Sequence, residues 1–449
     1  MIVCKFGGTS VQDAPAIRRL VGTIRDRAAE RPLVVVSALA GITDGLLGLV
    51  RLAEMGGSGF RDRLAELLAR HEGTARELPG AEAAMVFIRA DADGLARELE
   101  GLGGRRASPR ELDAITGRGE LWSSRLITSA LCGAEVPAEW VDVRTIMVTD
   151  DRFGRATPYT QVLSVRARER LMPMLERAVV PVTQGFIGAT ATGIPTTLGR
   201  GGSDFSASLI GAALRARRVE IWTDVDGLMT ADPRVVPSAR TLGVASYEEA
   251  AELATFGARV LHPATAVPLV HEGIPIVVLN SRHPERRGTV IEPSADVSRL
   301  GDSPIRSISW KRGITVINVR APRMLGAYGF LRQLFEIFER HEVVVDVLAS
   351  SEVSVSLTIE DPRHLDLVQR ELDDLGEVWV DHGRAIIAVV GIGLKTTPGL
   401  SARVFGAVGP ACVEVISQGA SAINMTFTVK EEDGPEVVRR LHQEFFGTC

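Results

Sequence analysis

The chain opens on Met-Ile-Val-Cys-Lys5-Phe6-Gly7-Gly8-Thr9-Ser10, an apolar strand that runs straight into a lysine and a glycine pair. A buried strand delivers Lys5 on a rigid base. Gly7-Gly8 would let the backbone turn with positive φ and approach a ligand without a Cβ in the way. Thr9, Ser10 and Asp13 offer caps for a helix expected over 15–27, whose N-terminal amides would face the same anion. The stretch suits phosphate, with a plain strand-to-helix turn and a solvated lysine as the alternative. It is not the GxxxxGK[ST] phosphate loop, because the lysine precedes the glycines.

Strand and helix alternate from there. Residues 33–36 are a β-branched run ending at Ser37-Ala-Leu-Ala-Gly41-Ile-Thr43-Asp44. Doubly wound sheets place ligand groups in such loops at strand C-termini, which makes Ser37 and Thr43 candidates. Position alone favours Thr43-Asp44 as caps of the following helix. Residues 60–135 read as helical. Within them Gly117-Arg-Gly119-Glu120 opens a helix, where Glu120 either complements the helix dipole or receives a substrate amino group. Strands are expected at 136–143 and 179–182, the second leading to Gln184-Gly-Phe186-Ile-Gly188.

The strongest local motif is Thr197-Leu-Gly199-Arg200-Gly201-Gly202-Ser203-Asp204, followed at once by a small-residue helix over 205–214. Three glycines permit close backbone approach, Ser203 and Asp204 sit at a helix N-terminus, and Arg200 supplies a planar fork for a carboxylate. Asp204 also suits an N-cap. A strand at 219–222 feeds Thr223-Asp224-Val-Asp226-Gly227, a polar loop suited to ribose and phosphates, with Arg234 as its charged contact. His262, followed at once by proline, reads as a structural residue at a helix end.

From about residue 292 the pattern changes. Segments 314–320, 329–340, 343–349, 353–360, 362–375 and 378–380 read as βαββαβ. Segments 385–392, 400–408, 413–417, 423–429 and 435–446 read as βαββα without a final strand. The spare strand at 305–310 would complete this second set, which predicts two interleaved ferredoxin-like modules. The domains expected are 1–292, then 311–383, then 384–449 together with 305–310.

Composition excludes several classes. Net charge is −5 and no run of lysine and arginine is interleaved with aromatics, which argues against nucleic acid. Cys4, Cys132, Cys412 and Cys449 are scattered without CxxC spacing, which fits a reducing compartment better than a disulfide framework or a zinc site. The longest nearly apolar run, 385–394, is too short to span a bilayer, and the N-terminus does not read as a signal peptide. A cytoplasmic protein is expected.

Taken together, KFGGTS at 5–10, SALAGIT at 37–43, GE at 119–120, TLGRGGSD at 197–204, WTDVDG at 222–227, ADPR at 231–234 and FGARVLHP at 256–263 resemble aspartate kinase. GFL at 329–331 and SSEVSVSL at 350–357 resemble that family's paired ACT regulatory modules. The resemblance covers nearly the whole chain and points to the monofunctional, lysine-regulated class.

It implies an amino-acid-kinase fold, a central mainly parallel sheet between helices, followed by the two ACT modules. The implied reaction moves the γ-phosphoryl of MgATP to the side-chain carboxylate of L-aspartate, with Mg2+ carried by ATP and no separate protein metal site. By the same carry-over Lys5 and Asp204 are catalytic, and Thr43, Glu120, Arg200 and Ser203 hold aspartate. Lys5, Gly7, Gly8, Thr223, Asp224, Met229, Arg234, Arg259 and Val260 would bind ATP. Met324, Gly329, Phe330, Leu331, Val345, Asp346, Ser350, Ser351 and Glu352 would bind L-lysine. A homodimer through the ACT modules is implied, with a tetramer as the alternative.

Three positions depart from the pattern: Met229 replaces a tyrosine, Arg259 a common lysine, and Ala327 a serine. Two other readings compete with an active aspartate kinase. One is an amino-acid sensor that has lost turnover, and the other a kinase for another acidic amino acid such as glutamate.

Overall fold

The apolar runs become the interior of an eight-stranded sheet in the computed structural model, which describes residues 1–256, 263–293 and 304–447. The chain groups into two units, Met1–Leu228 with Gly243–Tyr247 and Val260–Ala295, and Met229–Leu242 with Glu248–Arg259 and Asp296–Cys449. The segment Met229–Leu242, expected within 1–292, thus groups with the C-terminal part.

The first unit contains β1 (Ile2–Phe6), β2 (Pro32–Val36), β3 (Ala138–Trp140), β4 (Val148–Thr149), β5 (Val180–Gln184), β6 (Ile187–Thr190), β7 (Pro195–Thr197), β8 (Val219–Thr223), β9 (Val244–Ser246), β10 (Ile276–Asn280) and β11 (Thr289–Glu292). Its main sheet runs β3-β5-β2-β1-β8-β10-β11-β9, and only the β10–β11 pair is antiparallel. Every residue of β1, β2, β5 and β10 is buried. Burial on both faces explains why they read as unbroken apolar runs rather than alternating ones. Phe6 pairs in register with Val36 on one side and Trp222 on the other, so the loops after β1, β2 and β8 leave the same edge of the sheet. Ligands of such sheets bind at that edge. A second, three-stranded sheet, β4-β6-β7, ends at Thr197 and leads into the Arg200 loop.

The second unit holds β12 (Ile305–Arg320), β13 (Leu348–Ser350), β14 (Ser354–Ile359), β15 (Glu377–Gly391), β16 (Ile416–Gln418) and β17 (Asn424–Lys430), in the order β13-β14-β12-β15-β17-β16. The separate strands expected at 305–310 and 314–320 are the two halves of β12, whose register slips between Lys311 and Ile314. The half at 305–310 pairs with the half of β15 that pairs with β17, so it supplies the missing strand. Each module has its own core, one around Ile317, Leu334, Phe338 and Leu357, the other around Ile308, Ile387, Phe427 and Leu441.

Two expected strands are shorter than their apolar runs, for one shared reason. The Thr358 hydroxyl accepts the Val347 N–H at 2.9 Å, and the Thr428 hydroxyl accepts the Val415 N–H at 3.0 Å. A side chain thereby takes a donor that a regular ladder would use. The strands expected over 343–349 and 413–417 are therefore regular only at Leu348–Ser350 and Ile416–Gln418. The strand expected over 136–143 is likewise confined to Ala138–Trp140.

Candidate active site

Lys5 leaves β1 next to the Gly7-Gly8 turn, and its Nζ lies 2.6 Å from Asp204 Oδ1. Lys5 is 8 % exposed, so the pair is largely withdrawn from water and weakly screened. The turn is not built on positive φ. Gly7 has φ −72° and Gly8 is not among the left-handed glycines. Space is what requires glycine here. A Cβ on Gly8 would lie 3.1 Å from the Ala38 carbonyl oxygen and 3.4 Å from Ala40 Cα. One on Gly7 would lie 3.5 Å from Lys5 Nζ, an ordinary contact, so the constraint falls on Gly8. The first helix spans Ala14–Asp26, and Asp13 caps it by accepting the Ala16 N–H at 2.9 Å.

The helix Gly202–Leu214 carries Ser203 and Asp204 in its first turn. Its N-cap is Gly201, with φ +71°, so Asp204 faces Lys5 instead of capping. Thr43-Asp44 does not cap either. Gly41 takes that place with φ +78°, inside a turn that leaves Thr43 facing the cavity.

Glu120 lies in the first turn of the helix Arg118–Gly133 and is 3 % exposed. Gly119 lets that turn approach, since a Cβ there would fall 2.7 Å from the Ala38 Cβ. Glu120 Oε1 accepts the Ala38 N–H at 3.1 Å, whereas Oε2 is buried with no hydrogen-bond partner. Burial pushes its carboxyl up to about 8, against the pull of that amide. A buried acid without a cation is incomplete, and an ammonium ion would complete it.

Lys5, Gly8, Thr43, Glu120, Arg200, Ser203 and Asp204 all line one cavity of about 560 Å3. Arg200 is exposed, and no carboxylate pairs with it among the described residues. Ser37 and Phe186 line the same cavity, the latter in a left-handed conformation with φ +68° that costs on the order of 1–3 kcal/mol. The Ser206 hydroxyl, accepting the Phe186 N–H at 3.0 Å, helps hold it there.

The expected nucleotide residues are more dispersed. In the first unit Thr223 ends β8, with its hydroxyl 3.3 Å from the exposed Asp224, and its carbonyl accepts the Ser281 N–H at 2.8 Å. In the second unit Met229 is half-buried and its carbonyl accepts the Ser307 hydroxyl at 2.7 Å. Arg234 is exposed and paired with Asp232 at 2.6 Å. Arg259, Val260 and His262 lie outside the described residues.

The expected effector residues are in the second unit. Gly329 is the N-cap of the helix Phe330–Arg340, with φ +83°; Phe330 is buried in the first module's core, Leu331 is exposed, and Met324 is half-buried. Val345 and Asp346 precede β13, which ends at Ser350, and the Ser351 hydroxyl lies 2.7 Å from that of Ser354 beside the exposed Glu352. Asp346 Oδ1 lies 3.4 Å from Lys311 Nζ, which also pairs with Glu360 at 2.8 Å. Burial raises the Asp346 carboxyl and Lys311 opposes the shift.

Two buried acids support the site without having been picked out from sequence. Glu220, 1 % exposed, accepts from Arg27 at 2.6 Å, Arg218 at 2.6 Å and the Trp222 indole at 3.1 Å. Trp222 stacks on Phe6 at 5.7 Å and its carbonyl accepts the Gly7 N–H at 3.1 Å, which ties that network to the glycine turn. Asp113, 4 % exposed, binds backbone beside the Arg200 loop. An acid inside a run of apolar periodicity was the available signal, and it does not tell support from ligand binding.

The chain is similar to known proteins over nearly its whole length. Residues 1–280 match the amino acid kinase family and residues 387–445 the ACT domain. The lysine-sensitive aspartokinase 3 of Escherichia coli is 39% identical over 467 residues, covering 99% of each chain. The crystal structure of the E. coli aspartokinase III with aspartate and ADP, in the R-state, superposes with a TM-score of 0.83 at 38% identity, covering 99% of this chain and 100% of that one. Its T-state structure with lysine and aspartate gives 0.84 at 38% identity, covering 99% of both. The chain belongs to the aspartokinases, amino acid kinases that here carry a C-terminal pair of ACT modules.

Proposed function

We propose that the cavity binds L-aspartate through Glu120 and Arg200 and that the γ-phosphoryl of MgATP passes to the aspartate side-chain carboxylate, giving 4-phospho-L-aspartate. The observation that carries this reading is the pairing of opposites in one cavity: among the described residues, a buried acid without a cation and an arginine without a carboxylate. An α-amino acid supplies both missing partners.

The attacking carboxylate is already ionised at neutral pH, so the reaction needs no general base. Catalysis is then positioning and charge stabilisation around an in-line transfer. Lys5, aimed by Asp204, neutralises charge building on the transferring group, and the Gly8 turn and the N-terminal amides of the helix Gly202–Leu214 offer donors to phosphate oxygens. Ser203 and Thr43 complete the aspartate pocket. Mg2+ enters with the nucleotide. Thr223, Asp224, Met229, Arg234, Arg259 and Val260 are the proposed nucleotide contacts.

L-Lysine is the proposed effector, held by the ACT residues from Met324 to Glu352 named above, in a homodimer formed through the ACT modules. ADP release under MgATP, with hydroxylamine trapping the acyl phosphate, tests the whole reading. Hydroxamate that depends on L-aspartate rather than L-glutamate and is suppressed by lysine supports it. Activity indifferent to lysine removes the effector, preference for glutamate removes the substrate, and absence of turnover leaves an amino-acid sensor.

A further inference from the structure

Asp113 has no part in the chemistry above, yet it is among the most completely used acids in the first unit. Its two oxygens lie 3.0 and 2.9 Å from the Gly154 N, and Oδ2 accepts the Thr197 N–H at 2.8 Å. Oδ1 accepts the Thr197 hydroxyl at 2.8 Å. All of these partners are neutral donors. They belong to two segments distant in sequence from Asp113 itself, and both lie at the loop that carries Arg200.

Asp113 sits on the helix Pro109–Thr116, and the Gly117 N–H donates back to its carbonyl at 3.1 Å. The next helix starts at Arg118 and presents Glu120 in its first turn. Thr197 is the last residue of β7, three positions before Arg200. Gly154 lies under the same loop: the Ala156 N–H donates to the Thr197 carbonyl at 2.9 Å, and a Cβ on Gly199 would fall 3.1 Å from the Gly154 carbonyl oxygen. Arg200 is exposed, so its placement depends on the backbone that carries it.

We infer that Asp113 is a positioning residue that fixes the spacing between Glu120 and Arg200, and with it the recognition of an α-amino acid by its two charged ends. The inference rests on the substrate reading proposed above. An ammonium and an α-carboxylate sit at a fixed separation in the ligand. Two protein groups on different elements match it only if something rigid joins those elements, and misplacement by about 1 Å can cost on the order of 100-fold. A carboxylate suits the task because it accepts from every side. An amide in its place turns an NH2 toward backbone N–H groups that have no other acceptor here.

The test compares Asp113→Asn, Thr197→Val and Thr197→Ser in the full chain, with melting temperature recorded for each. Asp113→Asn should raise the KM for L-aspartate about tenfold or more while the KM for MgATP stays within about twofold. Its preference for L-aspartate over succinate, which lacks the ammonium, should shrink by a similar factor. Thr197→Val should lie between, and Thr197→Ser, which keeps the hydroxyl, should match the parent. If Asp113→Asn does not fold, the Thr197 pair carries the same comparison. Unchanged KM for aspartate, or a parallel rise in both KM values, overturns the inference. A parent enzyme that prefers glutamate overturns the substrate reading instead, and the same ratios are then read on glutamate.

Discussion

Glu120 in the first unit and Asp346 in the second are acids assigned to an amino acid's ammonium, each with one buried oxygen that has no hydrogen-bond partner, and they differ in the cation beside them. Glu120 is buried with no cation beside it among the described residues, and burial holds its carboxyl near 8. Asp346 already faces Lys311 at 3.4 Å, and that ammonium is shared with Glu360 at 2.8 Å. The first acid is desolvated without a counter-ion of its own, a cost that the proposed substrate ammonium would offset. The second is paired within its own chain, so the proposed effector would exchange one ammonium for another. A site of the first kind favours selectivity, and one of the second kind favours adjustable affinity.

The largest expected effect tests the electrostatics shared by the first site. Lys5→Met should lower kcat by roughly 10^3 or somewhat less, because a preorganised cation at the transferring group is lost. The KM for aspartate should change little, since Lys5 is paired with Asp204 rather than with Glu120 or Arg200. Steady-state ADP release, with circular dichroism as the check on folding, decides this. A kcat within about tenfold of the parent would remove Lys5 from the chemistry.

Glu120→Gln sharpens the contrast itself. The KM for aspartate should rise on the order of 10- to 100-fold with a smaller change in kcat, because a charged contact to the ground state is lost. In the parent, KM for aspartate should improve as pH rises toward 8, where the free carboxyl ionises, and this dependence should vanish in the variant. Stability gives an independent reading. The folded chain holds a proton up to about 8, whereas the unfolded carboxyl releases it near its ordinary 4.5. The folded state therefore loses stability as pH rises through that window, and Glu120→Gln should flatten the loss. Melting temperatures from pH 5 to pH 9 check the sign, and parallel curves would show that burial does not shift this acid.

Asp346→Asn should raise the lysine concentration needed for half-inhibition about tenfold while kcat without lysine is kept. An unchanged lysine response would place the effector elsewhere and end the comparison.

How far the sequence reached follows the same division. The sheet was legible because strands buried on both faces leave unbroken apolar runs, and the interleaving of the modules was legible because 305–310 was one strand too many. The cavity residues were legible only as separate motifs; what joins Glu120 to Arg200 is Asp113, which sits on a helix within a stretch that reads as Arg/Glu/Leu-rich while its carboxylate accepts from segments far away in sequence. Local reasoning went astray where backbone geometry depends on a neighbour. Gly8 is a glycine because of the Ala38 and Ala40 backbone, not because of φ. Thr43 and Asp204 look like caps, but the glycines before them, left-handed at Gly41 and Gly201, take over that position and free the side chains for the cavity. Thr358 and Thr428 shorten strands whose own residues favour β-structure.

Lys311→Met gives the smallest effect and the most direct test of the exchange. Lys311 is largely covered, with 17 % of its side chain exposed, and it divides its charge between Asp346 and Glu360. The Asp346 contact is long at 3.4 Å and the Glu360 partner is half-exposed, so the exposed half of this pairing contributes about 1 kcal/mol or less. Removing the internal ammonium should therefore lower the half-inhibiting lysine concentration about three- to fivefold, since lysine no longer has a rival. Burial already raises the Asp346 carboxyl and Lys311 counteracts this, so the variant's acid should ionise at higher pH than the parent's. The gain in lysine sensitivity should accordingly grow as pH rises through the range in which the variant's acid ionises. A loss of sensitivity at every pH would mean that Lys311 orients Asp346 for the effector instead of competing with it, and the two acids would then differ only in who supplies the first cation.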